Sequence, residues 1–173
     1  MNIVLIGYRG TGKSVVGAIL AARLGMPYLS MDALIADRAG MTIPEIVTQY
    51  GWPGFRDWES ALACELAKRE KIIIDCGGGI VERPVNIEAL RATGVLVWLQ
   101  ASVATIVARI QDDTMRPSLT GKSFTEEVAE VLERRTPLYK NAAHYIIDTD
   151  HLTPGEVVAT IVAMVSEKQN GRE

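Results

Sequence analysis

Gly7-Tyr8-Arg9-Gly10-Thr11-Gly12-Lys13-Ser14 comes directly after the apolar run Ile3-Val4-Leu5-Ile6, where a first buried strand ends and its loop begins. The eight residues fit G-x-x-x-x-G-K-[ST] in full, the pattern of a loop whose glycines let it curl until successive backbone N–H groups point inward at a phosphate. Lys13 then spreads its charge across the β- and γ-oxygens of a nucleotide, and Ser14 offers a hydroxyl to Mg²⁺. Downstream, Val15, Val16, Ile19, Leu20 and Leu24 recur at helical spacing, and Gly25 followed by Pro27 ends the helix. The loop therefore opens a helix N-terminus, where the dipole and the unpaired N–H groups favour an anion. Gly10, Thr11, Gly12, Lys13, Ser14 and Val15 are the expected nucleotide-binding residues.

The chain has 173 residues, 48% of them apolar, and a formal net charge of -3. A length of this order suits one domain, 1–173, burying roughly 70% of its unfolded surface. No Lys/Arg run approaches the density of a nucleic-acid tract, so a small molecule is the expected partner rather than nucleic acid. Residues 1–7 lack a basic n-region and a small-residue cleavage site. No apolar stretch reaches about 18 residues, so a cytoplasmic protein with no membrane partner is expected. Cys64 and Cys76 have no C-x-x-C or Cys/His metal spacing. The first falls on a helical apolar face and the second ends a strand, so both read as reduced, buried packing residues.

Strand-like runs at 2–7, 72–75, 95–99 and 145–148, with a weaker one at 27–30, alternate with helical patterns at 13–24, 57–70, 84–92, 102–110, 124–135 and 154–167. The alternation predicts an α/β fold of βαβ units, a parallel sheet covered by helices on both faces. Thr42 with Glu45 and Ser123 with Glu126 have the spacing of capping boxes, and the tail from Lys168 to Glu173 reads as loose. Ligands of such folds gather at the carboxyl ends of the strands, which makes 7–14, 30–32 and 75–79 one neighbourhood.

Asp75 closes the run Ile72-Ile73-Ile74, the position from which P-loop proteins hold Mg²⁺ or its water shell. Gly77, Gly78 and Gly79 follow almost at once; they weaken a strand, and suit a backbone that must pass very close to a ligand. Asp32 stands after Tyr28-Leu29-Ser30-Met31 and before a helical segment, where it could serve as a cap. Phe55-Arg56-Asp57-Trp58-Glu59 opens a long helix, and its charge spacing alone describes an exposed, salt-bridged face.

The P-loop, Asp32, the Phe55–Glu59 patch, the glycine triplet, Arg116-Pro117 and Arg135-Thr136-Pro137-Leu138-Tyr139 together resemble the shikimate kinase family almost from end to end. The resemblance implies a three-layer P-loop fold with a five-stranded parallel sheet, a substrate-binding insertion at about 31–60 and a lid at about 112–123. It implies transfer of the ATP γ-phosphoryl group to the 3-hydroxyl of shikimate, a step of aromatic amino acid biosynthesis, with ATP and Mg²⁺ as cofactors and a monomeric protein. Residue by residue, it places Arg56 and Arg135 on the shikimate carboxylate, Asp32 on the ring hydroxyls as base, and Gly77, Gly78 and Gly79 along the substrate. Arg116 would belong to the lid and reach the transferring phosphoryl, and Arg109 would pack on adenine. Without the resemblance, Arg109 reads as a solvated helix residue. Two guanidinium groups suit a carboxylate, since each can form two parallel bonds that lysine cannot copy.

The sequence also departs from the family pattern. The family commonly carries acid-x-acid after the second strand, and this chain has Ser30-Met31-Asp32, one metal-side carboxylate fewer. Ser118 stands where an apolar residue is usual, and Asp75 where a small or neutral one is usual. The expectation drawn from this is that Asp75, with Ser14, serves the metal in place of the acid missing at position 30. The departures leave room for two other readings, a kinase acting on another small polyol acid and a nucleotide-binding paralogue without turnover. Retention of Arg56 and Arg135 speaks against the first.

Overall fold

The computed structural model describes residues 1–110 and 119–170. Five strands, β1 (Asn2–Ile6), β2 (Tyr28–Ser30), β3 (Ile73–Asp75), β4 (Gly94–Gln100) and β5 (Tyr145–Asp148), form one sheet in the order β2-β3-β1-β4-β5. Every pairing is parallel. The helices are α1 (Lys13–Leu24), α2 (Met31–Ala39), α3 (Ile43–Leu66), α4 (Pro84–Thr93), α5 (Val103–Ile110), α6 (Phe124–Ala142) and α7 (Pro154–Asn170), with a 3₁₀ helix at Gly78–Glu82.

Strand residues are apolar on both faces because both faces are covered. Ile3, Leu5, Val97 and Leu99 pack against Val16 and Leu20 of α1 and Val157 and Ile161 of α7. The alternate residues Val4, Ile6, Leu96 and Trp98 pack in the opposite layer with Ile35, Phe55, Leu62, Leu66 and Tyr139 of α2, α3 and α6. Each such side chain gains about 1.5–3 kcal/mol on leaving water. The resulting three layers fix β1 and β3 side by side, with Leu5 opposite Asp75, so the loops that leave their carboxyl ends share one crevice. A third cluster of Tyr8, Ile106, Ile110, Val128 and Val131 joins α5 to α6 beside that crevice.

Several boundaries differ from the sequence reading. The pattern at 57–70 is the second half of α3, which begins at Ile43 under a complete Thr42–Glu45 capping box and kinks at Gly51 (φ 68°, ψ 177°) just before Pro53. The Gly51-Trp52-Pro53-Gly54 run had hidden the first half. Helix α6 continues past 135, through Pro137, to Ala142, and α7 takes in 168–170 of the expected tail. The Ser123–Glu126 box does not close in the expected way, because the Ser123 hydroxyl bonds the Glu126 carboxylate and not a backbone N–H. Asp32 is not the cap of α2; Ser30 is, its Oγ accepting from Ala33 N at 3.3 Å. Both cysteines are free, but only Cys76 is buried and Cys64 is half-buried. Among the described residues no helix is long and apolar enough to cross a membrane.

Candidate active site

The phosphate loop is built as its sequence requires. Gly12 caps α1 at φ 92°, a left-handed conformation that a side chain would strain, and it leaves the first N–H groups of the helix facing outward. Lys13 is buried and donates from Nζ to the carbonyls of Gly7 and Tyr8, each at 2.9 Å, while Thr11 Oγ1 donates to the Tyr8 carbonyl at 2.9 Å. The ammonium is thereby held over the loop mouth.

Across the crevice, Asp75 ends β3 with 5% of its surface exposed. Its Oδ2 accepts from Ser14 Oγ and from the Tyr28 hydroxyl, both at 2.7 Å. Burial and the neighbouring Asp75 push the Tyr28 hydroxyl well above its ordinary pKa, so it stays a donor. A cavity of about 270 Å³ opens here, lined by Lys13, Ser14, Ser30, Asp32, Asp75 and the Gly77–Gly78 backbone. It brings together the P-loop, the end of β2 and the end of β3, as the sequence reading expected.

The glycine triplet carries the chain past three ionisable side chains. A Cβ on Gly77 would lie 2.7 Å from Glu59 Oε1 and 2.9 Å from Asp32 Oδ1, and one on Gly79 would lie 2.2 Å from the Arg56 guanidinium carbon. The backbone therefore serves as the floor on which Arg56 rests. Arg56, 7% exposed, pairs with Glu59 and lies 5.3 Å from the Trp52 ring centroid. The Phe55–Glu59 patch is thus not the exposed face its spacing suggested: only Asp57 is exposed, pairing with Arg83 at 2.7 Å, and Trp58 is half-buried against the core. Burial raises the Glu59 carboxyl above its usual range in spite of Arg56.

Arg135 reaches the same floor from α6, 3% exposed, with Nε donating to Glu82 Oε1 at 2.8 Å. Its NH2 is buried and has no hydrogen-bond partner among the described residues. Arg56, Arg135, Gly78, Gly79, Trp52 and Tyr8 are among the residues lining a second, partly open cavity of about 20 Å³. Arg9 and Gly78 line both cavities, so the two spaces adjoin. On the far side of the P-loop, Arg109 donates to the Gly10 carbonyl at 3.1 Å and to the Thr149 carbonyl at 3.2 Å, and bounds a largely apolar cavity of about 400 Å³ with Val15, Leu152, Pro154 and Val157. It is exposed, yet it is not a freely solvated residue.

Arg116, Ser118 and residues 112–118 of the expected lid lie outside the described residues. Four residues of the site escaped the sequence reading: Arg9, an unspecified position of the P-loop motif; Tyr28, whose only link to Asp75 is through space; Glu82; and Glu127, a buried acid that accepts from Leu119 N and Thr120 N at 3.1 and 3.2 Å.

A phosphate loop at the end of the central strand, adjoining a pocket with two buried arginines, defines a P-loop kinase of small anionic molecules. The chain belongs to the shikimate kinase family: residues 9–166 match the sequence model described as "Shikimate kinase". It is 43% identical over 152 residues to a shikimate kinase of Nitratidesulfovibrio vulgaris, covering 86% of this chain and 87% of the relative. It is 38% identical over 171 residues to one of Thermodesulfovibrio yellowstonii, covering 99% and 98%. A shikimate kinase from Acinetobacter baumannii, solved in complex with shikimate, superposes with a TM-score of 0.92 at 33% identity, over 96% of this chain and 93% of that one. The chain is a phosphotransferase with ATP as donor.

Proposed function

We propose that the chain phosphorylates the 3-hydroxyl of shikimate where its two cavities adjoin, with Lys13, Asp32 and Arg116 as catalytic residues. The observation that carries this reading is the pair of buried arginines, Arg56 and Arg135, meeting over Gly78 and Gly79 beside the phosphate cavity, with Arg135 NH2 lacking a partner among the described residues. A carboxylate supplies the acceptor such a nitrogen needs, and planar guanidinium groups hold it by paired bonds.

With the carboxylate fixed there, Asp32 orients the 3-hydroxyl and accepts its proton as the oxygen attacks the γ-phosphorus and the bond to the β,γ-bridging oxygen breaks. Lys13, leaving the carbonyls that now hold it, stabilises charge on the β- and γ-oxygens. Gly10, Thr11, Gly12, Ser14 and Val15 cradle the nucleotide, with Arg109 beside the adenine. Arg116 adds positive charge to the transferring group as part of the lid at 112–123, and the 31–60 insertion presents Asp32 and Arg56. Mg²⁺, when bound, neutralises charge developing on the phosphates. Ser14 and Asp75 are the residues that would hold it, a hydroxyl and a carboxylate already hydrogen-bonded to one another and both hard oxygen donors. Among the described residues no cluster of three or more His, Cys, Asp or Glu could hold a metal, and Mg²⁺ held by one carboxylate, phosphates and waters needs none. The same reading makes the protein a cytoplasmic monomer.

A coupled ADP-release assay with shikimate present and absent tests the proposal. Turnover should depend on shikimate, and equal ADP release in both arms would refute it.

A further inference from the structure

The last residue of the 3₁₀ helix that begins within the glycine triplet is Glu82, and its carboxylate meets both arginines of the acceptor pocket at once. Oε1 accepts from Arg135 Nε at 2.8 Å and pairs with Arg134 NH2 at 2.8 Å, while Oε2 lies 3.5 Å from Arg56 Nε. It touches Arg56 and Arg135 by their Nε edges and does not itself line the acceptor cavity. Of the terminal nitrogens, Arg56 NH1 goes to Glu59, while Arg135 NH2 is buried, unpartnered among the described residues and left for the pocket. Two guanidinium groups this close repel one another, and a single carboxylate with one oxygen for each both offsets that repulsion and sets the gap between them.

We propose that Glu82 is a positioning residue which spaces Arg56 and Arg135 as one preformed carboxylate clamp, and so determines how strongly the site prefers an acceptor bearing a carboxylate over the same acceptor without that charge. The inference rests on the reading of Arg56 and Arg135 as the acceptor's carboxylate grip. Three features support it. The Glu82 carboxyl is held below its ordinary pKa: burial alone would raise it, but Arg135, Arg56 and Arg134 outweigh burial, so it remains ionised at neutral pH. The main chain between Gly77 and Glu82 is itself pinned, through the Tyr139 hydroxyl on the Gly78 carbonyl and Asn86 Nδ2 on the Ile80 carbonyl at 3.0 Å. Arg56 and Arg135 come from helices far apart in sequence, α3 and α6, and Glu82 touches both of them.

The test compares shikimate with its methyl ester as acceptor, in the full-length enzyme and in Glu82→Gln and Glu82→Asp variants, with ATP saturating. Glutamine keeps the length but cannot accept from both Nε groups, and aspartate keeps the charge but is too short to reach both. In both variants the shikimate KM should rise about tenfold and the preference for the acid over the ester should shrink by a similar factor, the size expected for one charge-assisted hydrogen bond. The kcat, and the ATP KM measured separately at saturating shikimate, should stay within about twofold. A preference kept or strengthened in Glu82→Gln overturns the proposal, and so does a Glu82→Asp enzyme indistinguishable from the wild type, because charge without spacing would then suffice. Should the wild type itself fail to distinguish acid from ester, the carboxylate grip by Arg56 and Arg135 is what fails.

Discussion

Ser30 and Asp75 face each other across the β2–β3 register, the hydroxyl residue on one strand and the acid on its neighbour. Ser30 is committed to capping α2, and Asp75 takes the hydroxyls of Ser14 and Tyr28. On the proposed reading, the metal-side charge is carried one strand further along the sheet. Asp75→Asn should weaken apparent Mg²⁺ affinity and lower turnover while leaving the fold intact, as read from initial rates over a Mg²⁺ titration. Unchanged Mg²⁺ dependence and turnover would remove Asp75 from the metal site.

Lys13→Ala should lower kcat by about 10²-fold or more, the usual cost of deleting a charge that acts on the transition state. A variant retaining more than about a tenth of wild-type turnover would contradict the role given to Lys13.

Arg56→Lys replaces a planar fork by a point charge, and Arg56 also rests on Gly79 and against Trp52. Calorimetry should show shikimate binding weakened and ADP binding almost untouched. Equal losses for both ligands would mean that Arg56 supports the fold of α3 rather than the acceptor.

The Tyr139 ring stacks on Trp98 at 5.6 Å between centroids, and its hydroxyl donates to the Gly78 carbonyl. Burial pushes that hydroxyl up to about 12, so it is a donor throughout the working pH range. Tyr139→Phe keeps the stack and removes one hydrogen bond from a buried carbonyl, which costs about 0.5–1.5 kcal/mol. For a domain of this size the melting temperature should drop by several degrees. No change in melting temperature would show that water replaces the bond.

Glu82 also predicts a pH dependence of stability. A carboxyl whose pKa is lower folded than unfolded stabilises the protein fully above the unfolded value, and that contribution disappears as pH falls through the folded one. Glu82 lies below its ordinary 4.5. The melting temperature of Glu82→Gln should therefore fall below that of the wild type at neutral pH, with the two converging as pH drops below 4.5. A gap that widens on acidification would contradict the ion-paired state.

The phosphate half of the site was legible because its residues are contiguous: one eight-residue motif between a strand and a helix determines where Lys13 and Ser14 go. The three inner strands β1, β3 and β4 were legible from apolar runs, since strands buried on both faces leave few polar interruptions. The acceptor half was not readable from spacing alone. Arg56 and Glu59 sit three apart on a helix, which describes a solvated pair as well as a buried one, and only the packing of α3 against Gly79 decides between them. Glu82 was invisible for the same reason, because a 3₁₀ turn delivers it to arginines 26 residues before and 53 after. The family resemblance supplied Arg56 and Arg135, but not the carboxylate that spans them.

The cavity lined by Tyr8, Trp52, Arg56 and Arg135 has about 20 Å³, room for roughly one water molecule. A fragment chosen to fill that space as it stands would be too small to inhibit. On the proposed reading, an effective inhibitor has either to displace those walls or to extend into the adjoining cavity of about 270 Å³, so its potency should reflect any work of displacement and its residence time the speed with which the walls return. Screening by rate of onset would therefore rank compounds that screening by shape overlooks.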